Sequence, residues 1–174
     1  IDSVSRYIGP FRTVGENTVI FSIEDFLNRQ YYSGGASRVI KRKIVEQFGY
    51  LNQDCQTEDS VFNFRAFLTT GLGYCSIPMV NYRVHDNNIS SPTNLLVGFD
   101  PKLIYKQYKK DLDIAQKNGI INKCKYDLIL RHLVHHRDKE EAIRKIYIKK
   151  MLVSRLAIYF PMIFSNKYSL RTKL

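Results

Sequence analysis

The hydrophobic positions of this 174-residue chain form short amphipathic segments whose period changes along its length. Asn17-Thr18-Val19-Ile20-Phe21 is β-branched and reads as a short strand or a buried turn. Ser22 opens a helix. It stands at capping-box spacing from Asp25, and Phe26, Leu27 and Tyr31 follow at helical spacing. Ser33-Gly34-Gly35-Ala36-Ser37 reads as a turn in which both glycines are free to take positive φ. Ser37 then caps a helix from Arg38 to Phe48, with Val39, Ile40, Ile44, Val45 and Phe48 as its apolar stripe and Gly49 as its stop. A polar loop from Tyr50 to Gln56 leads to Thr57, the cap of the next helix. Val61, Phe64 and Leu68 form one stripe of that helix, and Phe62, Ala66 and Thr69 another, so much of its circumference is buried. Gly71 ends it. Tyr74 to Val84 alternates as a strand, with Pro78 marking an edge or a bulge.

From Asp100 the pattern is helical throughout. Asp100 caps, Pro101 takes the first helical position, and Leu103, Ile104, Tyr108, Leu112 and Ala115 form a stripe as far as Asn118-Gly119. A second helix is expected from about Asn122 to Arg137, and a third from near Lys139 to Pro161. Met162 to Leu174 is aromatic and basic, with no clear pattern.

Charge sharpens this division. Residues 1–99 balance nine bases against nine acids, whereas residues 100–174 hold 18 bases and 7 acids, so the whole net charge of +11 sits in the second part. Two domains follow: an α/β unit over 1–99 and a basic helical appendage over 100–174. Such an excess suits an anionic partner. On this ground a nucleic acid and the anionic inner face of the plasma membrane are equally open as that partner. A solvated basic face on helices that pack against the first domain, or against a second copy in a homodimer, has similar weight. No run of 18 apolar residues occurs, and the first residues do not form a signal peptide. Cys55, Cys75 and Cys124 form no Cys-x-x-Cys pair. They suit a reducing cytoplasm and read as small buried or half-buried hydrophobes.

Two carboxylate pairs open helices. Glu24-Asp25 has nothing catalytic beside it and reads as a dipole-favoured first turn. Glu58-Asp59 lies between the Gly34 turn and Tyr82-Arg83-Val84-His85. A carboxylate there can take a proton from an attacking hydroxyl, although a helix N-terminus, by favouring the ionised form, weakens it as a base. His132, His135 and His136 share a helix face without a convincing fourth ligand, and read as a polar or anion-binding face. Asp111-Leu112-Asp113, the one Asp-x-Asp, reads as a solvated helix face.

Gly34-Gly35-Ala36-Ser37, Phe48-Gly49-Tyr50, Thr57-Glu58-Asp59, Arg65, Gly71, Pro78 and Tyr82-Arg83-Val84-His85 together resemble the C-terminal part of the catalytic domain of family 2 glycosyltransferases, which have the GT-A fold. The resemblance covers roughly residues 30–90. It implies an incomplete GT-A-like half and inverting transfer of a sugar from a nucleotide-sugar donor to a glycan or lipid-linked acceptor in polysaccharide synthesis. Because lipid-linked acceptors are common among the family's bacterial members, the resemblance also makes an anionic membrane surface the preferred partner of the basic helices, and nucleic acid is not favoured. Asp59 would be the general base and Glu58 its supporting neighbour. Gly34, Gly35, Ala36, Ser37 and Arg83 would approach the substrates, and His85 would reach a diphosphate-bound Mg²⁺ or Mn²⁺. Arg65 would either hold the Glu58-Asp59 helix or form an ordinary ion pair. The family's nucleotide-binding βαβ half, with its Asp-x-Asp motif, has no counterpart here, so the isolated chain is expected to be inactive and to bind no metal itself. The rival reading is a non-enzymatic basic helical module that binds membrane, nucleic acid or a partner subunit.

Overall fold

The structure, a computed structural model, describes residues 18–29, 37–75, 77, 80–81 and 98–169, with side chains given as far as Met151. Its elements are β1 (Val19–Phe21), α1 (Ile23–Asn28), α2 (Arg42–Phe48), α3 (Glu58–Thr69), β2 (Leu72–Tyr74), α4 (Pro101–Lys117) and α5 (Lys123–Ser169). Among the described residues it is helix-rich and broadly α/β, with one small antiparallel sheet of β1 and β2. Val19 lies opposite Tyr74, Ile20 opposite Gly73 and Phe21 opposite Leu72.

β1 and the start of α1 form as their sequence dictates, but α1 stops at Asn28, where Arg29 turns left-handed at φ 57°, short of the helical spacing read through Tyr31. Ser22 and Asp25 make a reciprocal capping box: the Ser22 backbone N–H donates to Asp25 Oδ2 at 2.6 Å, and the Asp25 N–H donates to Ser22 Oγ at 3.3 Å. These bonds hold the Asp25 carboxyl below its ordinary range, as a first-turn acid should be. Gly49 closes α2 at φ 70°, its N–H donating to Val45 O. Gly71 turns the chain from α3 into β2 at φ 86°, and a Cβ there would lie 2.7 Å from Phe21 O. Only glycine fits both the backbone angle and that approach.

Three further elements differ from expectation. α2 begins at Arg42, not Arg38: Lys41 is extended (ψ 128°) and Val39 is 98% exposed. With this segment extended, the Arg38 side chain is drawn inward, to 9% exposure beside Asp59, while Val39 faces out. Of the described residues in the expected strand from Tyr74 to Val84, only Tyr74 is strand, as the end of β2. β1 offers only three partners, so the ladder ends at Tyr74; Cys75, Ile77, Val80 and Asn81 are not strand, and the intervening and following residues lie outside those described. The two last helices are one. α5 runs 47 residues, through Arg137-Asp138-Lys139 and past Pro161. No glycine or proline lies between Lys123 and Phe160 to interrupt it, and a single proline removes one hydrogen bond from a helix already long.

Charge changes at Phe99, but packing does not. Leu112, Ala115, Ile121, Ile129 and Leu133 join the same buried cluster as Phe21, Phe48 and Phe64. Phe26 is its hub, with ring centroids 5.3 Å from Phe64 and Phe67, 6.5 Å from Tyr108 and 5.8 Å from His132. One α1 side chain therefore meets α3, α4 and α5. Cys55 is half-buried as expected, whereas Cys75 and Cys124 are exposed, Cys124 in the outward-facing first turn of α5.

Candidate functional site

Glu58 and Asp59 occupy the first turn of α3. Glu58 is exposed, and the Asp59 side chain is 43% exposed. Asp59 Oδ1 accepts from the Ser60 N–H at 2.8 Å. Its other oxygen lies 4.0 Å from Arg38 Nη2. Thr57 holds the N-cap position but makes no capping bond; its hydroxyl is buried without a hydrogen-bond partner. In the first turn of α3 the Ser60 N–H therefore rests on Asp59 and the Val61 N–H on the Thr57 carbonyl at 3.1 Å, with no bond from the Thr57 hydroxyl.

Arg38 and Asn63 line a shallow cleft of about 120 Å³ between the segment before α2 and the flank of α3. Asn63, one turn beyond Asp59, is buried at 5% exposure. Asp59 does not line this cleft; it adjoins it only through Arg38. Ser37 is exposed just before Arg38. Gly34, Gly35, Ala36, Arg83 and His85 lie outside the described residues, so of the expected site only Ser37, Glu58 and Asp59 have a described position.

α3 is fixed from behind. Arg65 is wholly buried, and its guanidinium grips Asp111 of α4 with both arms: Nε donates to Oδ2 at 2.7 Å and Nη2 to Oδ1 at 3.0 Å. The third nitrogen, Nη1, donates to Gly49 O at 2.9 Å. Gln107 completes the network. Its amide donates to Asp111 Oδ1 at 2.9 Å, and its carbonyl accepts from the Asn52 N–H at 2.8 Å. Burial pushes the Asp111 carboxyl up from its ordinary range, while Arg65 and Gln107 pull the other way. Asp111 is therefore not on a solvated helix face. Arg65 is not an ordinary ion pair on a helix face; it holds the Glu58-Asp59 helix in place by joining α3 to α4.

The rest of α4 grips the same loop. Lys106 pairs with Asp54 at 3.3 Å, Lys110 donates to Tyr50 O at 3.3 Å and to Asn52 Oδ1 at 3.2 Å, and the Asp100 N–H donates to Gln56 Oε1 at 2.7 Å. The loop from Gly49 to Gln56, which delivers the chain to Glu58-Asp59, is stitched to successive turns of α4. Sequence reasoning missed Arg38, Gln107 and Asp111 in these roles. A signal for the last two existed. At i, i+3, i+7 and i+11 from Ile104, Gln107, Asp111 and Ala115 run along one flank of the apolar stripe, where a polar pair must be buried or matched.

Two of the three histidines stay neighbours: His132 packs against Phe26, and the His136 ring lies 6.3 Å from that of His132, its Nε2 4.0 Å from Glu140 Oε1. Burial, with Arg29 nearby, lowers both imidazoles from their ordinary value. His135 is exposed. No group of three or more His, Cys, Asp or Glu among the described residues could hold a metal ion. Asp111 is committed to Arg65, so Asp111-Leu112-Asp113 does not fit a Mg²⁺ or Mn²⁺ site either.

Comparison of the chain with models of protein families, with curated proteins and with solved structures gives no match. What the fold and site define is a helix-rich α/β unit with a carboxylate pair at a braced helix N-terminus.

Proposed function

We propose that this chain forms the acceptor side of an inverting, nucleotide-sugar-dependent glycosyltransferase of GT-A type, with Asp59 as general base. The observation that carries the reading is the setting of Asp59. It is a partly exposed carboxylate beside the largely buried cation of Arg38, on a helix whose far side is locked by Arg65 and Asp111. The acceptor hydroxyl oxygen would bond to the anomeric carbon as the bond from that carbon to the donor diphosphate breaks, and the hydroxyl proton would pass to Asp59. Arg38 would hold the carboxylate in place, and Glu58 would add negative field at the mouth. Backbone groups of Gly34 to Ser37 and the side chain of Arg83 would meet the sugars. Because the described residues do not fit a divalent cation, the chemistry assigned here is that of Asp59 and its neighbours alone.

The test is nucleoside diphosphate release from a panel of nucleotide sugars with a glycan or lipid-linked acceptor, by the whole protein that carries this chain. Asp59→Asn should lower kcat by about 10²-fold or more with donor KM nearly unchanged. Full turnover by that variant would sink the assignment.

A further inference from the structure

α5 does not end where the core ends. Leu133 is its last buried residue among those described, yet the helix continues to Ser169, roughly 50 Å further at about 1.5 Å per residue. Beyond the core it carries exposed Ile143 and Ile146 and exposed Lys145, Lys149 and Lys150. Its last acids, Glu140 and Glu141, sit near Arg29 and Lys102 of the core, at 3.9 and 3.8 Å. From Ala142 to Leu174 the sequence holds eight bases and no acid. Between them lies Met151 to Phe164, fourteen residues with Arg155 as their only charge.

We propose that the part of α5 beyond Ala142 docks on an anionic lipid surface, bases at the headgroups and the Met151–Phe164 stretch entering the interface. Charge selects this occupant. A second copy would bring the same acid-free segment against itself, setting base against base in either orientation. A nucleic acid would match the bases but leave the fourteen-residue apolar stretch without a partner. An anionic bilayer satisfies both halves of the composition. The stretch spans about 21 Å as a helix, short of the ~30 Å of a hydrocarbon core, so it dips into one leaflet and does not cross. No helix among the described residues is long and apolar enough to cross a membrane. This docking rests on α5 alone and stands or falls independently of Asp59.

The chain has no tryptophan, so Phe160→Trp provides a single clean reporter. With that variant, vesicles of phosphatidylcholine plus phosphatidylglycerol should blue-shift the emission and pellet the protein at least about tenfold better than phosphatidylcholine alone, less so as salt is raised. Lys149→Glu with Lys150→Glu, both exposed and so compatible with folding, should cut that pelleting about tenfold or more while circular dichroism is retained. Equal pelleting with both vesicle types, an unshifted emission or an unaffected charge-reversed variant would each overturn the proposal. So would a tight dimer that excludes vesicles, or tighter binding to an oligonucleotide duplex than to the anionic vesicles.

Discussion

At the residue scale, Arg65 decides more than any other single side chain. It is wholly buried, five donors strong, and has three acceptors within 3.0 Å: both oxygens of Asp111 and the carbonyl of Gly49. Removing one partner of such a pair leaves the other as an uncompensated buried charge, which is costlier than the pair's own net contribution. Arg65→Met is therefore expected to lower unfolding free energy by about 3–5 kcal/mol, measured by urea denaturation. Adding Asp111→Leu should recover part of that loss, because no charge is then stranded. Strictly additive effects of the two substitutions would show that the pair is not coupled. Sequence alone left Arg65 between two roles. Its own helix gave it apolar neighbours, but nothing in the chain's order pointed to a partner 46 residues away.

At the element scale, α4 is a clamp on the loop that feeds α3. Gln107 is its most diagnostic member, since it bonds the loop backbone at Asn52 with one end of its amide and Asp111 with the other. Gln107→Ala should speed hydrogen exchange at the Asn52 amide by roughly fivefold to tenfold, while amides in the second half of α5 stay as they are. An unchanged Asn52 amide would remove the clamp. Helix identity in this region was readable from periodicity and caps: Asp100 caps α4 by accepting from the Lys102 N–H at 2.9 Å, as its position before Pro101 implies. Helix ends without glycine or proline were not readable. The Arg137-Asp138-Lys139 charges, read as a boundary between helices, form a contact between neighbours instead, Arg137 donating to Asp138 at 2.8 Å.

At the scale of the whole molecule, α1 and α5 meet through Phe26, Arg29, His132 and His136, and this junction is sensitive to acid. Burial, then Arg29, lowers both imidazoles, with Glu140 opposing at His136. The unfolded chain therefore binds protons that the folded chain resists. The stabilisation is fully present above the ordinary histidine value of about 6.5, and is lost as pH falls toward the depressed values. Stability measured by thermal unfolding should decline from pH 7 to pH 5. The decline should stay below the single-proton ceiling of about 1.4 kcal/mol per pH unit for each histidine, because His136 is 41% exposed and solvent screens it. His132→Phe should flatten the slope; an unchanged slope would place the acid sensitivity elsewhere. Asp111, shifted upward, acts in the opposite sense: its contribution is fully present below about 3.8 and is lost as pH rises through its raised value.

The sequence by itself determined what short-range physics sets: the Ser22–Asp25 capping box, the glycine stops at Gly49 and Gly71, the buried circumference of α3 and the helical character of the chain from Asp100 to Pro161. It also set the charge division at Phe99 and placed Glu58-Asp59 at a helix start. Each depends on residues a few positions apart. Tertiary structure decided the rest. Arg38 left its expected helix to lie beside Asp59, Asp111 turned inward to meet Arg65, and the helices beyond the charge boundary entered the same core as β1 and α3. Those outcomes depend on contacts between residues far apart in sequence, where burying a charge is tolerable only if the fold brings its partner to it.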